Sequence, residues 1–239
     1  MTADSQFISG KVIRAVARRA PLTQKIGHLP LAKADGEFFK RLFDILFSLS
    51  VLILFSPVYL LLGLLIAISS PGPVFYVQER VGKNRRKFGC LKFRTMVTNA
   101  EEILAQMMET SPELRSEFES NFKLKNDPRI TWIGNFLRVT SLDEFPQFWN
   151  VLKGDMSVVG PRPLVTEELP KYGTHMDTVL QIRPGITGLW QVSGRNDIPY
   201  PKRIQMDVYY VNFNNFWMDM WIILKTIRVV IFPKNNGAY

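Results

Sequence analysis

Between Leu42 and Ser69 the chain reads LFDILFSLSVLILFSPVYLLLGLLIAIS, 28 residues with a single charge at Asp44. As one helix this run would reach about 42 Å at ~1.5 Å per residue, against the ~30 Å hydrocarbon core of a bilayer. Core helices so long and so uniformly apolar are rare, so the run is read as a membrane segment. It begins too far from Met1, and runs too long, for the ~7–15-residue apolar stretch of a cleaved signal peptide.

Charge decides how such a segment sits. The 239 residues hold 30 Lys plus Arg against 21 Asp plus Glu, a net of +9. Residues 1–41 carry +5, residues 72–99 carry +6 and residues 100–239 carry −1. The excess is confined to two collars around the apolar run and the rest of the chain is nearly neutral, which argues against a nucleic-acid partner. Cytoplasmic flanks of membrane segments are the ones enriched in Lys and Arg. Here both flanks are enriched: Arg14, Arg18, Arg19, Lys40 and Arg41 upstream, and Arg80, Lys83, Arg85, Arg86, Lys87, Lys92 and Arg94 downstream. A simple span puts one collar on the wrong side, whereas a segment that enters and returns keeps both in the cytoplasm.

Ser56-Pro57 stands at the middle of the run. Proline removes a backbone donor and bends a helix, and a neighbouring serine hydroxyl can satisfy the freed carbonyl in lipid. The two halves would each reach only ~20 Å, too short to cross. The expectation is a re-entrant helix–break–helix; a kinked spanning helix is the alternative, because proline is tolerated in spans.

Outside this segment the punctuation is conventional. The first ~35 residues are basic and read as a cytoplasmic arm or a weak surface-binding helix. Pro71-Gly72-Pro73 stops the membrane helix. Pro73–Gln78 and Lys87–Phe93 suggest short strands around a Gly82-Lys83-Asn84 turn. Asn99 is placed to cap a helix to about Glu109, and Ser111-Pro112 to start another. Phe213–Phe232 is aromatic-rich but interrupted by Asp219, Lys225 and Arg228, with Trp217 and Trp221 one helical turn apart. It reads as an interfacial amphipathic helix or as an ordinary core helix.

One cysteine, Cys90, excludes an internal disulfide framework and a Cys-based zinc site, and two histidines, His28 and His175, make a multi-His metal centre untenable. The densest polar cluster is Arg138-Val-Thr-Ser-Leu-Asp-Glu. Ser141 and Glu144 have capping-box spacing, which would set Asp143 and Glu144 in the first turn of a helix ending near Lys153, before Gly154. Taken alone, these acids read as caps. Their company adds chemistry: Arg162 in Gly160-Pro161-Arg162-Pro163, Arg183 before Pro184-Gly185, and Arg195 in Gly194-Arg195-Asn196. Arginines in rigid turns suit phosphates, and carboxylates with arginines suit Mg²⁺-assisted phosphoryl chemistry.

With these blocks assembled, FKRLFDILFS, the central Ser56-Pro57, PGPVFYVQERVGKN, LKFRTM, SLDEFPQFWNVLKGDMSVVGPRP, RPGITGLWQVSGRN and DVYYV, the chain from about Phe39 onward resembles the bacterial sugar transferases, the monotopic phosphoglycosyl transferases. The resemblance implies transfer of a sugar-1-phosphate from a UDP-sugar to a polyprenyl (undecaprenyl) phosphate. The products would be polyprenyl-diphosphate sugar and UMP, formed at the cytoplasmic leaflet of the inner membrane at the start of exopolysaccharide or O-antigen assembly. It implies Mg²⁺ as cofactor, Asp143 as the nucleophile that takes the phosphosugar, and Glu144 as the residue holding the metal. Lys92, Arg138, Arg195 and Asp207 match positions around the phosphates and metal, and Arg162 lies in the matching turn. Ser56 and Pro57 match the break of the family's re-entrant helix.

The resemblance thus completes an expected α+β, mostly helical architecture. A basic cytoplasmic arm covers 1–38, a re-entrant membrane element 39–71, and a small cytoplasmic catalytic domain, with short strands and interfacial amphipathic helices, 72–239. Larger relatives carry further membrane helices ahead of this core, so the chain is expected to be the catalytic core alone or a member that never had more. Gly237-Ala238-Tyr239 resembles the end of the hexose-transferring branch, favouring UDP-glucose or UDP-galactose. A homodimer is admissible. The competing class is a noncatalytic basic adaptor that binds anionic lipid through its collars and needs no Asp-Glu pair.

Overall fold

A computed structural model describes residues 30–231 except 122, 123, 125 and 126. The arm's first 29 residues and Gly237-Ala238-Tyr239 lie outside the described residues. Helix α1 spans Pro30–Leu54 and α2 spans Ser56–Ser69. Their axes bend by 62° at Phe55. Pro57 supplies no N–H to Ile53, and the Ser56 hydroxyl donates to that freed Ile53 carbonyl at 2.8 Å. The bend thus has the composition expected of it. Helix α1 starts earlier than expected, crossing the 38/39 boundary between arm and membrane element. Among the described residues no single helix is long and apolar enough to cross a membrane; the bent pair together passes on length and composition.

Helix α1 is apolar on both sides, with a few polar groups set into its inward face. Leu42, Leu46, Leu49 and Ile53 are exposed along one stripe, while Asp44 and Ser48 are buried on the opposite side. Arg41 donates to the carbonyls of Val151 and Leu152, and Asp44 accepts from the Val158 N–H at 3.1 Å. Lys40 meets Asp219 at 2.6 Å. The collar residues nearest the helix are therefore clamps onto the domain. On the other side, Arg94 is buried and donates to the carbonyls of Ser70 and Pro71 at 2.6 Å each, satisfying the end of α2.

The domain core is built from small pieces. Strands β1 (Phe75–Val81) and β2 (Lys87–Phe93) form an antiparallel hairpin, with Phe75 opposite Phe93 and Val81 opposite Lys87. The hairpin and its turn fall where expected, but β1 is shifted toward the turn, running Phe75–Val81 rather than Pro73–Gln78. Helices α3 (Ala100–Thr110) and α4 (Pro112–Asn121) follow, then α5 (Trp132–Thr140) and α6 (Gln147–Lys153). Strands β3 (Ser157–Val159) and β4 (Gly185–Thr187) pair in parallel, separated by the short helices α7 (Leu169–Tyr172) and α8 (Met176–Val179). Helices α9 (Tyr200–Phe213) and α10 (Phe216–Ile231) close the described chain. The element expected over Phe213–Phe232 is thus shorter, because Asn214 leaves the helical conformation and caps α9.

Two apolar clusters set the site. One joins Phe148, Val151, Val158, Trp190, Tyr210 and Ile222 and receives Phe43, Phe47 and Val51 of α1. The other packs Leu62 and Ile66 of α2 against Phe93, Ile133 and Leu137, with Tyr59, Leu142 and Phe145 at its border. Burial of this apolar surface seats the bent pair on the domain. The architecture is α+β and mostly helical.

Candidate active site

Asp143 and Glu144 lie in a tight 3-10 turn, Leu142–Glu144, between α5 and α6. The capping box does not form. Ser141 is left-handed at φ 60°, ending α5, and its side chain caps nothing. Its hydroxyl instead accepts from Arg195 Nη2 at 3.0 Å. The acids therefore precede α6 rather than occupying its first turn, whereas Gly154 ends α6 in the left-handed region as expected. Leu142 and Phe145 of the turn join the apolar cluster under α2.

The turn is held to the hairpin from two sides. Asn150 of α6 accepts from Leu91 N–H at 2.9 Å and donates to the Gly89 carbonyl at 2.7 Å. This ties α6 to β2 and brings Lys92 to the dyad: Lys92 Nζ donates to Glu144 Oε1 at 3.0 Å. Arg162 approaches the same oxygen at 3.7 Å. Arg138 extends from α5 and donates through Nε to Thr95 at 3.0 Å. Gly134 makes this crossing close, since a Cβ there would overlap the Thr95 carbonyl.

The two acids have opposite electrostatics. Burial works against ionisation of Glu144, but the charges of Lys92 and Arg162, with the Lys92 hydrogen bond, outweigh it and hold the carboxyl below its ordinary value. Asp143 is pushed above its ordinary value, first by burial and then by the charge of Glu144; Lys92, Arg138 and Arg162 only partly offset this. Asp143 makes no hydrogen bond or ion pair among the described residues. A poised, unpaired carboxylate beside an ionised one, ringed by cations, is equipped to attack or bind an electrophilic phosphate.

Of the residues singled out in the sequence, Asp143, Glu144, Lys92 and Arg162 converge directly, while Arg138 and Arg195 feel the dyad's charge from one shell further out. Asp207 stands apart. It is 1% exposed on α9, accepts from the Tyr172 hydroxyl at 2.9 Å, and touches neither acid. Its carboxyl is pushed up to about 7 by burial, despite the Tyr172 hydrogen bond and the Arg162 charge. Arg183 is used structurally, donating to the Gly154 carbonyl at 2.9 Å.

Four residues were not legible as site members. A small cavity beside Glu144 is lined by Lys92 and Arg162, and also by Arg80, Cys90, Gln147 and Gln191. Arg80 belonged to the downstream collar, yet it is buried, donates to the Pro163 carbonyl at 3.0 Å, and backs Arg162. Gln147 Nε2 and Gln191 Oε1 are buried without a hydrogen-bond partner among the described residues, so both amides have bonding capacity left. Gln147 lies three residues after Glu144, a spacing that was the one available signal.

No cluster of three or more His, Cys, Asp or Glu side chains gathers among the described residues. The two adjacent carboxylates are hard oxygen donors, and magnesium draws only one or two such groups from a protein while keeping water and substrate phosphates. The donor set fits that ion and does not fit a thiolate or imidazole metal.

A family model described as bacterial sugar transferase matches residues 36–233. The chain is 49% identical over 209 residues to the UDP-galactose-lipid carrier transferase of Erwinia amylovora, covering 87% of this chain and 43% of that protein. It is equally 49% identical over 209 residues to the undecaprenyl-phosphate galactose phosphotransferase of Salmonella typhimurium, with the same coverage. It is 45% identical over 204 residues to the exopolysaccharide production protein ExoY of Rhizobium meliloti, covering 85% of this chain and 89% of that protein. The chain spans less than half the length of the first two relatives. A match that reaches from α1 to the end of α10, and takes in every element that builds the site, places the chain in the bacterial sugar transferase family.

Proposed function

We propose that the protein transfers a sugar-1-phosphate, of hexose type, from a UDP-sugar to undecaprenyl phosphate through a covalent intermediate on Asp143. The observation that carries the reading is the asymmetry of the dyad: Glu144 is neutralised by Lys92 and Arg162, while Asp143 is unpaired beside it. The names of the Erwinia and Salmonella relatives, which specify a UDP-galactose-lipid carrier and undecaprenyl phosphate, support the donor and acceptor classes.

In the first half-reaction an Asp143 carboxylate oxygen attacks the phosphorus that bears the sugar. A new O–P bond forms, the diphosphate bridge breaks, and UMP leaves with the electron pair. In the second half-reaction a lipid-phosphate oxygen attacks the same phosphorus and releases the Asp143 carboxylate. Dividing the transfer in two means the anionic nucleotide and the anionic lipid phosphate need not crowd one site together. Lys92, Arg162, Arg138 and Arg195 offset phosphate charge that would otherwise repel both partners. Glu144, with Asp143 beside it, would hold Mg²⁺, which supplies Lewis-acid polarisation and neutralisation of the diphosphate when bound.

The same reading seats the bent pair α1–α2 in the inner membrane's cytoplasmic leaflet as a re-entrant element. Its support is the exposed apolar stripe of α1, which the domain does not cover, with the helix's charges clamped inward, and the basic flanks on both sides. Trp217, Leu224 and Ile231 form an exposed stripe on α10 suited to the headgroup layer. A noncatalytic basic adaptor is disfavoured, because Lys40, Arg41, Arg80 and Arg94 are spent on protein partners rather than offered to lipid.

The test is UMP release by the full-length protein with undecaprenyl phosphate, Mg²⁺ and a panel of UDP-sugars, followed by intact-mass measurement without the lipid acceptor. The expected results are UMP release with at least one UDP-hexose and a phosphosugar adduct that maps to Asp143. An active enzyme with no adduct at that residue would remove the covalent route.

A further inference from the structure

The turn that carries the dyad is gripped from behind by the membrane element. Tyr59, on the first turn of α2 just past the Ser56-Pro57 break, donates its hydroxyl to the Phe145 carbonyl at 2.7 Å. Phe145 directly follows Glu144. The Tyr59 ring also lies 5.6 Å from Phe93, the residue after Lys92, and 6.1 Å from Phe145. Phe55, the residue at the bend, meets Phe145 edge-on at 5.9 Å. Both halves of the Lys92–Glu144 pair are thus backed, one residue along, by rings packed on the bent element: Phe93 on Tyr59, and Phe145 on Tyr59 and Phe55. Leu142 completes the grip from the other end of the turn.

The Phe145 carbonyl already accepts from the Phe148 N–H at 3.1 Å, the bond that starts α6. The Tyr59 bond is therefore not needed to satisfy that carbonyl, and the apolar ring alone would fill the space. What the hydroxyl adds is a directional bond from the membrane helix to the catalytic turn. The turn itself has weak internal definition. It is a single 3-10 turn preceded by a left-handed Ser141, with no side-chain cap.

We propose that Tyr59 is a positioning residue for the transfer reaction: its hydroxyl fixes the turn to α2, so that the set of the helix bend determines where the Asp143 carboxylate points. This rests on the reading of Asp143 as the nucleophile. The lever is short. A shift of the turn by about 1 Å changes the attack geometry at phosphorus without removing any group that binds the nucleotide, and displacements of that size cost up to about a hundredfold in rate.

The experiment compares Tyr59→Phe and Tyr59→Leu with the unaltered full-length protein in lipid nanodiscs, with Asp143→Asn alongside. Rates are normalised to the fraction of molecules that form adduct at long times. Tyr59→Phe keeps the ring and is expected to lower kcat and the rate of adduct formation roughly tenfold, with KM for the UDP-sugar unchanged within about twofold. Tyr59→Leu removes the ring too and is expected to fall further while keeping the same KM. Normal kinetics in Tyr59→Phe, or a loss wholly accounted for by fewer competent molecules, overturns the inference. If Asp143→Asn stays active the nucleophile reading fails, whereas an inactive Asp143→Asn beside a normal Tyr59→Phe removes only the positioning role.

Discussion

Among the described residues, a part-buried lysine–carboxylate node at the root of the bent helix pair and another at the dyad are finished differently. At the root, Asp219 accepts from Lys40 and from the Tyr210 hydroxyl, each at 2.6 Å, and Tyr210 is wedged among core residues. Nearby Asp44 is closed by the Val158 N–H. At the dyad, Lys92 and Arg162 both serve Glu144, and Asp143 is left with neighbouring charge but no bond. Buried charges hold a fold together only when each is paired. A site that must bind an incoming phosphate needs the reverse, a surplus of donors and one acid kept open. The first node is architecture and the second is chemistry, and single substitutions separate them.

The largest effect is expected at Asp143. On the proposed covalent route, Asp143→Asn removes the attacking carboxylate and lowers transfer by at least about a thousandfold. Because that carboxylate is half-buried and makes no bond, its loss leaves thermal stability unchanged or raised. UMP release and a melting curve on the same preparation check both halves. A large drop in Tm would mean that Asp143 belongs to the architecture after all.

Next comes Lys92→Met, which strips Glu144 of its nearest cation and, on the proposed mechanism, the incoming phosphates of one donor. Activity is expected to fall about a hundredfold, with a measurable loss of stability from the stranded Glu144. An activity loss with no change in Tm would show that Arg162 and Arg80 suffice to hold that acid.

How much of this contrast the sequence disclosed depends on range. The bend at Ser56-Pro57, the hairpin and its turn, and Gly154 as the end of α6 are local matters of proline, periodicity and glycine, and all were legible. The Asp-Glu dyad and its arginines stood out through composition and resemblance. The capping box was misread because Ser141 spends its hydroxyl on Arg195, 54 residues away, and no spacing rule contains that partner. The collars were misread in part for the same reason. Lys40 finds Asp219, and Arg41 finds the Val151 carbonyl, only after the chain has folded back, so net charge alone could not tell clamps from surface charge. Arg80 and Gln147 entered the site by packing, without a motif of their own.

The third substitution turns to the root node. Lys40→Met leaves Asp219 buried with only the Tyr210 hydroxyl. The lysine side chain is 27% exposed, so water can partly replace it, and a loss of roughly 2 kcal/mol is expected rather than the full cost of a broken buried pair. Activity per folded molecule should remain within about threefold. Denaturant unfolding together with adduct-normalised kinetics tests this. Collapse of the normalised rate with little loss of stability would break the division between the two nodes.

The smallest expected effect on activity is at Asp207, which resemblance grouped with the phosphates and packing places behind Arg162. Its carboxyl is pushed up to about 7, principally by burial, against ~3.9 for an unfolded chain. Between those values the folded state holds a proton that the unfolded state gives up, so this residue's contribution to stability diminishes as pH rises through the folded value. Asp207→Asn imitates the protonated acid and still offers an oxygen to Tyr172. The variant's Tm relative to the unaltered protein should therefore rise from pH 5 to pH 8, with transfer at pH 7 within about threefold. The two readouts divide the cases: a flat Tm difference would mean that Asp207 is already paired in the folded protein, and a large loss of transfer would bring it back to the phosphates, making α9 a wall of the site rather than its support.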